Sequence, residues 1–206
     1  MCSEKVPFKN LNQNYRILAI GASAGGPKCI IELLSHLRSP FPLPVVIVQH
    51  MPPFFTASLA DLISERTRLK CKEAQNCDIL EPNHAYIAPG GLHMTVMEEK
   101  GKKIIKLYDG PMVSFVKPSV DVLFNSLAAI YKNEVLAAVL TGMGEDGKNG
   151  AVNLSGKGST IFVQDEKSSF SWDMPGAVVK AGVATAKLSL PQMASVINHI
   201  VFTKSS

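Results

Sequence analysis

The chain has no long apolar run, no long run of one charge, no internal repeat and no low-complexity stretch. Each absence removes a class of protein. No segment approaches the ~20 consecutive apolar residues that a bilayer-crossing helix needs, so membrane insertion is not expected. The first 14 residues are polar on the whole and lack the continuous apolar stretch of a secretory signal, which points to a soluble, cytoplasmic chain. Cysteine is scarce: Cys2, Cys29, Cys71 and Cys77 form no C-x-x-C pair and join no histidine cluster. Neither a zinc site nor a disulfide framework is therefore expected, and reduced thiols are the default. Lysine and arginine total 21 against 17 acidic residues, a net charge of +4, and the basic residues are dispersed. A nucleic-acid surface would gather them on one stripe or face. The densest charged stretch, Glu98, Glu99, Lys100, Lys102, Lys103 and Lys106, mixes both signs and reads as a solvated turn between two strands.

What is present is a core. With 206 residues, 46% of them hydrophobic, the chain suffices for one domain of ordinary size. Apolar runs alternate with glycine turns in a strand-helix rhythm: strand 15–20, helix 26–38, strand 44–49 and helix 54–66. Strands apolar on both faces suggest a parallel sheet covered on each side. The rhythm breaks at 84–108, where short alternating segments punctuated by Pro89-Gly90-Gly91 and Gly101 read as an antiparallel insertion. It resumes with a helix opened by Pro118 and Ser119 and running to about Tyr131, a strand 135–140 and a second glycine-rich turn, Thr141 to Gly147. A strand 159–163, a loop through Trp172, a strand 182–185 and a helix 191–201 complete the chain. The expected fold class is α/β: a doubly wound, mostly parallel, Rossmann-like three-layer sheet with a short antiparallel insertion around residues 84–108.

The segment from Ile17 to Pro27 runs an apolar strand into a small-residue turn with one serine, Ser23. Glycines at 21, 25 and 26 allow a sharp strand-to-helix turn that presents a serine hydroxyl. The same letters suit a pyrophosphate cradle, but a dinucleotide fold wants an acid about 20 residues on and the spacing G-x-G-x-x-G. Here the second strand ends in Gln49-His50 and the spacing is different. A third reading makes Ser23 a cap of the following helix. If Ser23 is a nucleophile it needs a base, and His50 is the one histidine of five that ends an apolar strand on that edge. Asp146, in the second glycine turn, is the candidate that orients the imidazole, with Asp121 next; its alternative is a helix N-cap. Ser23, His50 and Asp146 each follow an expected parallel strand and so share the carboxyl edge of the sheet, where such folds place their sites. Backbone N–H groups of Ala24 and Met143 are candidates for an oxyanion hole. No cofactor and no metal is expected, since no ligand set accompanies these residues.

The order serine, histidine, aspartate differs from that of α/β-hydrolases, in which the acid comes before the histidine. The chain resembles instead the chemotaxis protein-glutamate methylesterases over nearly all of residues 15–201. The stretches that carry the resemblance are Ile20 to Gly26, Gln49 to Pro52 with Phe55-Thr56, Tyr86 to Gly90, Pro118 to Phe124, Thr141 to Gly147 and Met174-Pro175. The resemblance implies that Ser23, His50 and Asp146 are a catalytic triad hydrolysing glutamate methyl esters, and deamidating some glutamines, on the cytoplasmic helices of chemotaxis receptors. Alternative functions are a small-ester serine hydrolase and a non-catalytic Rossmann-like ligand-binding module. Methylesterases of this family usually carry an N-terminal receiver domain. The expectation here is an extension over 1–14 and a single catalytic domain over 15–206 with no receiver, leaving regulation to a separate protein if there is any. Two departures from the family pattern, Asp173 in place of glycine before Met-Pro and Phe115-Val116 in place of a more basic stretch, bear on receptor docking rather than on the triad.

Overall fold

The computed structural model of the chain describes residues 14–203. The extension expected at 1–14 lies, apart from Asn14, outside the described residues. Nine strands and six helices follow in the order β1 (Ile17–Ala22), α1 (Gly26–Ser35), β2 (Val45–Gln49), α2 (Phe55–Arg66), β3 (Lys70–Glu73), β4 (His84–Ile87), β5 (His93–Glu99), β6 (Lys102–Tyr108), α3 (Val120–Tyr131), β7 (Val135–Val139), α4 (Lys148–Gly156), β8 (Thr160–Gln164), α5 (Asp173–Lys180), β9 (Ala186–Leu188) and α6 (Leu190–Phe202). Seven strands form one parallel sheet in the order β3-β4-β2-β1-β7-β8-β9, and β5 and β6 form a separate antiparallel hairpin. The α/β reading with a mostly parallel sheet and a small antiparallel insertion holds.

The strand pattern explains the layers. Successive side chains of a strand point to opposite faces, and in β1 every residue is buried. Leu18, Ile20 and Ala22 face a core filled by α1, α2 and α6, with Ile30, Leu33, Ile63 and Met193 among its members. Ile17 and Ala19 face the other core, filled by α3, α4 and α5 and by Met94, Val96 and Ile105 of the hairpin. Burying apolar area on both faces at roughly 25 cal/mol per Å² is what makes the central strands continuous hydrophobic runs. The hairpin turns at Lys100-Gly101 with positive φ at both residues, the conformation that matches strand twist.

The insertion is narrower than residues 84–108. His84–Ile87 pairs parallel with both β2 and β3 and is part of the main sheet. The glycines at 90 and 91, read as a hairpin signal, serve the close approach of that turn to the backbone of Met51, Pro52 and Pro53. Strand β3 had no strand signal, since Lys70-Cys71-Lys72-Glu73 is a half-exposed edge strand without an apolar run. Helix α5 lies in a stretch after Trp172 to which the sequence reading assigned no element; its Pro175 sits in the first turn, where an N–H has no intrahelical partner in any case. The first helix ends at Ser35 rather than 38, its last turn tightened by bonds from His36 N to Leu33 O and from Leu37 N to Leu34 O. The last strand lies at 186–188 instead of 182–185.

The chain leaves β1 toward β2 on one side and returns, after α3, to β7 on the other. The carboxyl ends of β1 and β7 therefore form the topological switch point, where open α/β sheets bind ligands. Glycine makes the crowding there possible. A Cβ on Gly21 would stand 2.4 Å from Val120 Cγ1, and one on Gly147 2.9 Å from the same atom, so both glycines admit the first turn of α3 over the strand end. Val120 is β-branched and fully buried, and has little freedom to move aside. We expect Gly21→Ala to destabilise the fold by about 1–3 kcal/mol through overpacking, and Gly21→Ala with Val120→Ala to recover part of that loss, as measured by urea denaturation. Equal loss in both variants would place the strain elsewhere.

Candidate active site

Ser23 is pinned by the sheet itself. Its N–H donates to Thr141 O at 2.9 Å, extending the β1–β7 ladder one step beyond the strands, and the His50 N–H donates to Ala22 O at 3.0 Å, extending the β1–β2 ladder. Serine and histidine thus stand on adjacent strand ends, since Ala22 pairs with Gln49 in register. Gly142 completes the enclosure: a Cβ there would lie 2.7 Å from Ser23 Cβ and 2.3 Å from Met174 Sδ, so only glycine lets the 141–144 turn lie against the serine.

His50 Nε2 lies 2.8 Å from Asp146 Oδ2. The carboxylate has three further donors: the Ser119 hydroxyl to Oδ1 at 2.7 Å, the Val120 N–H to Oδ2 at 2.6 Å and the Asp121 N–H to Oδ1 at 3.1 Å. Asp146 is only 2% exposed. It is not the cap of the helix that follows it; Gly147, with φ 94°, holds that position in α4. Its carboxylate caps α3 instead, at the positive end of that helix, where anions are favoured. Burial pushes the Asp146 carboxyl up, but the bonds from His50, the Asp121 N–H, Ser119 and the Val120 N–H outweigh it and hold the carboxyl below the ordinary carboxylate range.

Asp121, the second candidate for the acid, directs its carboxylate to the start of α4 rather than to the histidine. Its carboxylate accepts the Gly150 N–H at 2.7 Å and the Asn149 side-chain amide at 3.3 Å. Burial raises its pKa against the lowering effect of the Gly150 bond, and the nearby Asp146 charge adds to the rise. Of the sequence-expected residues, His50 and Asp146 are joined side chain to side chain, Ser23 stands on the strand end beside His50, and the Ala24 and Met143 backbones belong to the turns that follow β1 and β7.

Four supporting residues had no role assigned from the sequence, although Gln49 and Thr141 lie in stretches that carry the family resemblance. Gln49, 1% exposed, donates from Nε2 to Ser23 O at 2.9 Å and to His50 O at 3.1 Å. Thr141 Oγ1 donates to Ala24 O or Ser171 O and accepts from the Phe170 and Ser171 N–H groups, tying the serine turn to the 165–172 loop. Gln164 Oε1 receives the Thr141 N–H at 2.9 Å. His93, 1% exposed, accepts the Ser119 N–H on Nδ1 at 3.3 Å, so its proton lies on Nε2, which donates to Pro111 O at 2.9 Å. Only Ser119 was legible as the opener of a helix. Among the described residues no group of three His, Cys, Asp or Glu side chains could hold a metal, and no helix is long and apolar enough to cross a membrane.

A doubly wound sheet with serine, histidine and a buried aspartate at its switch point defines the class: a three-layer α/β protein with the side chains of a serine hydrolase. The comparisons specify it further. The family described as CheB methylesterase matches residues 18–197, and the chain belongs to that family. It is 44% identical over 189 residues to the protein-glutamate methylesterase/protein-glutamine glutaminase of Colwellia psychrerythraea, covering 91% of this chain and 50% of that protein. To the protein of the same name from Rhodopseudomonas palustris it is 43% identical over 179 residues, or 86% of this chain and 46% of the other. The chain thus spans about half the length of these curated relatives. The crystal structure of the Thermotoga maritima CheB methylesterase catalytic domain superposes with a TM-score of 0.89 at 35% identity, covering 91% of this chain and 99% of that one.

A carboxylate whose folded pKa is depressed stabilises the native state above its unfolded pKa of about 3.9, and that stability is lost as pH falls through the folded value. Ser119 both caps α3, through the Val122 N–H, and donates to Asp146. We expect Ser119→Ala to cost about 1–2 kcal/mol at pH 7, and to shift the acid loss of stability to higher pH because one depressing donor is gone. Urea denaturation from pH 7 to pH 3 measures both. An acid limb that keeps its wild-type midpoint would show that the hydroxyl does not hold the carboxyl down.

Proposed function

We propose that this chain hydrolyses methyl esters of glutamate side chains on the cytoplasmic helices of chemotaxis receptors, releasing methanol, and deamidates glutamines presented in the same way. The observation that carries the reading is the 2.8 Å bond between His50 and the buried Asp146 on the strand edge that presents Ser23. Membership of the CheB methylesterase family, and the names of the relatives from Colwellia and Rhodopseudomonas as protein-glutamate methylesterases/protein-glutamine glutaminases, support the substrate class.

In this reading Ser23 is the nucleophile, His50 the base and Asp146 the orienting acid. A carboxylate with four donors accepts only, so His50 carries a proton on Nε2 and leaves Nδ1 as the basic nitrogen. Nδ1 takes the Ser23 proton as Oγ attacks the ester carbonyl, and Asp146 stabilises the imidazolium. The tetrahedral intermediate places its oxyanion on the Ala24 and Met143 N–H groups, an interaction whose removal typically costs about 2.7–4 kcal/mol per donor. Gly142, whose own N–H is committed to Ser171 O at 3.0 Å, is not part of this pair. Methanol leaves with the His50 proton, or ammonia in the case of glutamine, and water activated by His50 then frees the glutamate. A cytoplasmic location follows from the substrate.

Methanol release from methylated receptor fragments tests the assignment. Ser23→Ala should abolish turnover with little change in thermal stability. Asp146→Asn should lower kcat by roughly 10⁴, as loss of the orienting carboxylate does elsewhere, whereas Asp121→Asn should change it by less than about tenfold, or about 1.4 kcal/mol. Comparable losses in the two asparagine variants would reassign the acid. Turnover of small esters with none on receptor would favour a small-ester hydrolase, and no turnover of either a ligand-binding module.

A further inference from the structure

The most exposed large apolar side chains of the described residues surround the candidate active site. Phe115 is 95% exposed, Phe54 90%, Phe170 80%, Met112 67% and Met143 64%. Four of the five, Phe54, Phe115, Phe170 and Met143, sit on segments next to residues of the candidate site. Phe54 comes four residues after His50 and leads into α2. Phe115 comes four residues before Ser119, whose hydroxyl holds Asp146. Phe170 lies against Gly25, where a Cβ would come within 2.6 Å of its own Cβ, and Met143 adjoins the glycine that touches Ser23.

Two of these aromatics stand on costly backbone. Phe54 has φ 75° and Phe115 φ 63°, the left-handed region that glycine, asparagine and aspartate occupy far more readily than bulky residues. Ser114 and Phe115 form a two-residue turn between Val113 and Val116, which exchange both backbone bonds at 3.1 Å, and a turn of this kind with two positive φ angles favours Asn-Gly. An aromatic ring presented to solvent from strained backbone on two separate loops has no folding rationale, and strain of this sort gathers at functional sites.

The two loops are also tied to each other. The turn Pro89-Gly90-Gly91 packs Gly90 against the Pro52-Pro53 backbone on one side and donates the Gly91 N–H to Lys117 O, at 3.2 Å, on the other. Phe54 leads into α2, which fills one core layer, and Phe115 toward α3, which fills the other, so the two stand on opposite sides of the sheet.

We propose that Phe54 and Phe115 form an apolar clamp that seats the protein substrate: a helix with apolar side chains beside its methylated glutamate. The proposal rests on the methylesterase reading. An ester reaching Ser23 must cross the rim these residues make, so whatever polypeptide carries the ester covers them. A small ester, lacking a polypeptide, does not.

Glycine variants separate the clamp from the fold. Phe54→Gly and Phe115→Gly relieve the positive φ, so the melting temperature should hold or rise. Each should lower kcat/KM on the methylated cytoplasmic fragment of a chemotaxis receptor about tenfold or more, mostly through KM, as loss of an aromatic anchor does at interfaces. Hydrolysis of p-nitrophenyl acetate, which reads the catalytic centre alone, should stay at the wild-type rate. Unchanged receptor turnover, or equal losses on both substrates, would overturn the clamp. If the wild-type chain cleaves neither substrate, the esterase reading fails, and co-sedimentation with the receptor fragment decides the clamp separately: weaker binding by the glycine variants supports it and equal binding overturns it.

Discussion

The geometry of the site depends on one carboxylate lying on the N-terminus of a helix to which it does not belong. Asp146 stands just before α4 yet caps α3, while Asp121, in the first turn of α3, caps α4 through the Gly150 N–H. The two helices exchange caps. Gly150 allows the exchange, since a Cβ there would lie 2.5 Å from Phe124 Cβ and 3.2 Å from the Asp121 backbone. Each carboxylate loses hydration and recovers it from fixed donors, but the two are not equivalent. Asp146 has four donors and is held in its charged form; Asp121 has the Gly150 and Gly147 N–H groups and the Asn149 amide, but its burial, with Asp146 as a neighbouring charge, outweighs them and pushes it toward its neutral form. Two carboxyls in one buried cluster are thereby driven apart in acidity, and the one kept ionised is the one that faces the histidine.

This arrangement transfers the rigidity of a packed layer to an imidazole. His50 sits at the end of a strand with its N–H in the sheet ladder, so its backbone is fixed from β1 and its ring from α3. Ser119 is the joint: its hydroxyl donates to Asp146, its Oγ receives the Val122 N–H, and its own N–H is held by the buried His93. A site placed this way is pre-organised by helix capping and strand register, both of which the fold needs in any case.

The fold was legible in the sequence where burial is two-sided. Strands such as Ile17–Ala22 and Val135–Val139 are runs of apolar and small residues because helices cover both faces, and glycine turns mark their carboxyl ends. Strand β3 was not legible because an edge strand half open to water can be written in lysine and glutamate. The candidate triad was visible because each member follows a strand. What could not be read is the partner of Asp146: capping a neighbouring helix links residues 25 and more apart, and single-residue signals for an N-cap point only to the helix that follows. The hydrogen-bonding roles of Gln49 and His93 were hidden for a similar reason, since a polar residue in a strand looks alike whether it faces solvent or a buried carbonyl.

Gln49 shows how a residue with no chemistry of its own can aim the backbone N–H groups proposed here as an oxyanion pocket. In a trans peptide the C=O and N–H of one unit point in opposite directions. The Ser23 carbonyl is held inward by Gln49 Nε2 and by the Gly26 N–H, at 2.9 and 2.8 Å, so the Ala24 N–H of the same unit is turned the other way. The Gly142 carbonyl accepts the Met174 N–H at 3.0 Å, which turns the Met143 N–H in the same fashion. Holding the first unit has a cost: with Nε2 committed to two carbonyls, Gln49 Oε1 has no hydrogen-bond partner among the described residues and faces Gly26, where any Cβ would come within 1.9 Å. An unpaired buried acceptor is worth about 1–3 kcal/mol of lost stability. A leucine of similar size would avoid that cost but leave the Ser23 and His50 carbonyls without their donor. The unpaired oxygen is thus the consequence of fixing the Ser23 and His50 peptide units at the adjoining ends of β1 and β2, and the fold tolerates it where orientation matters more than stability.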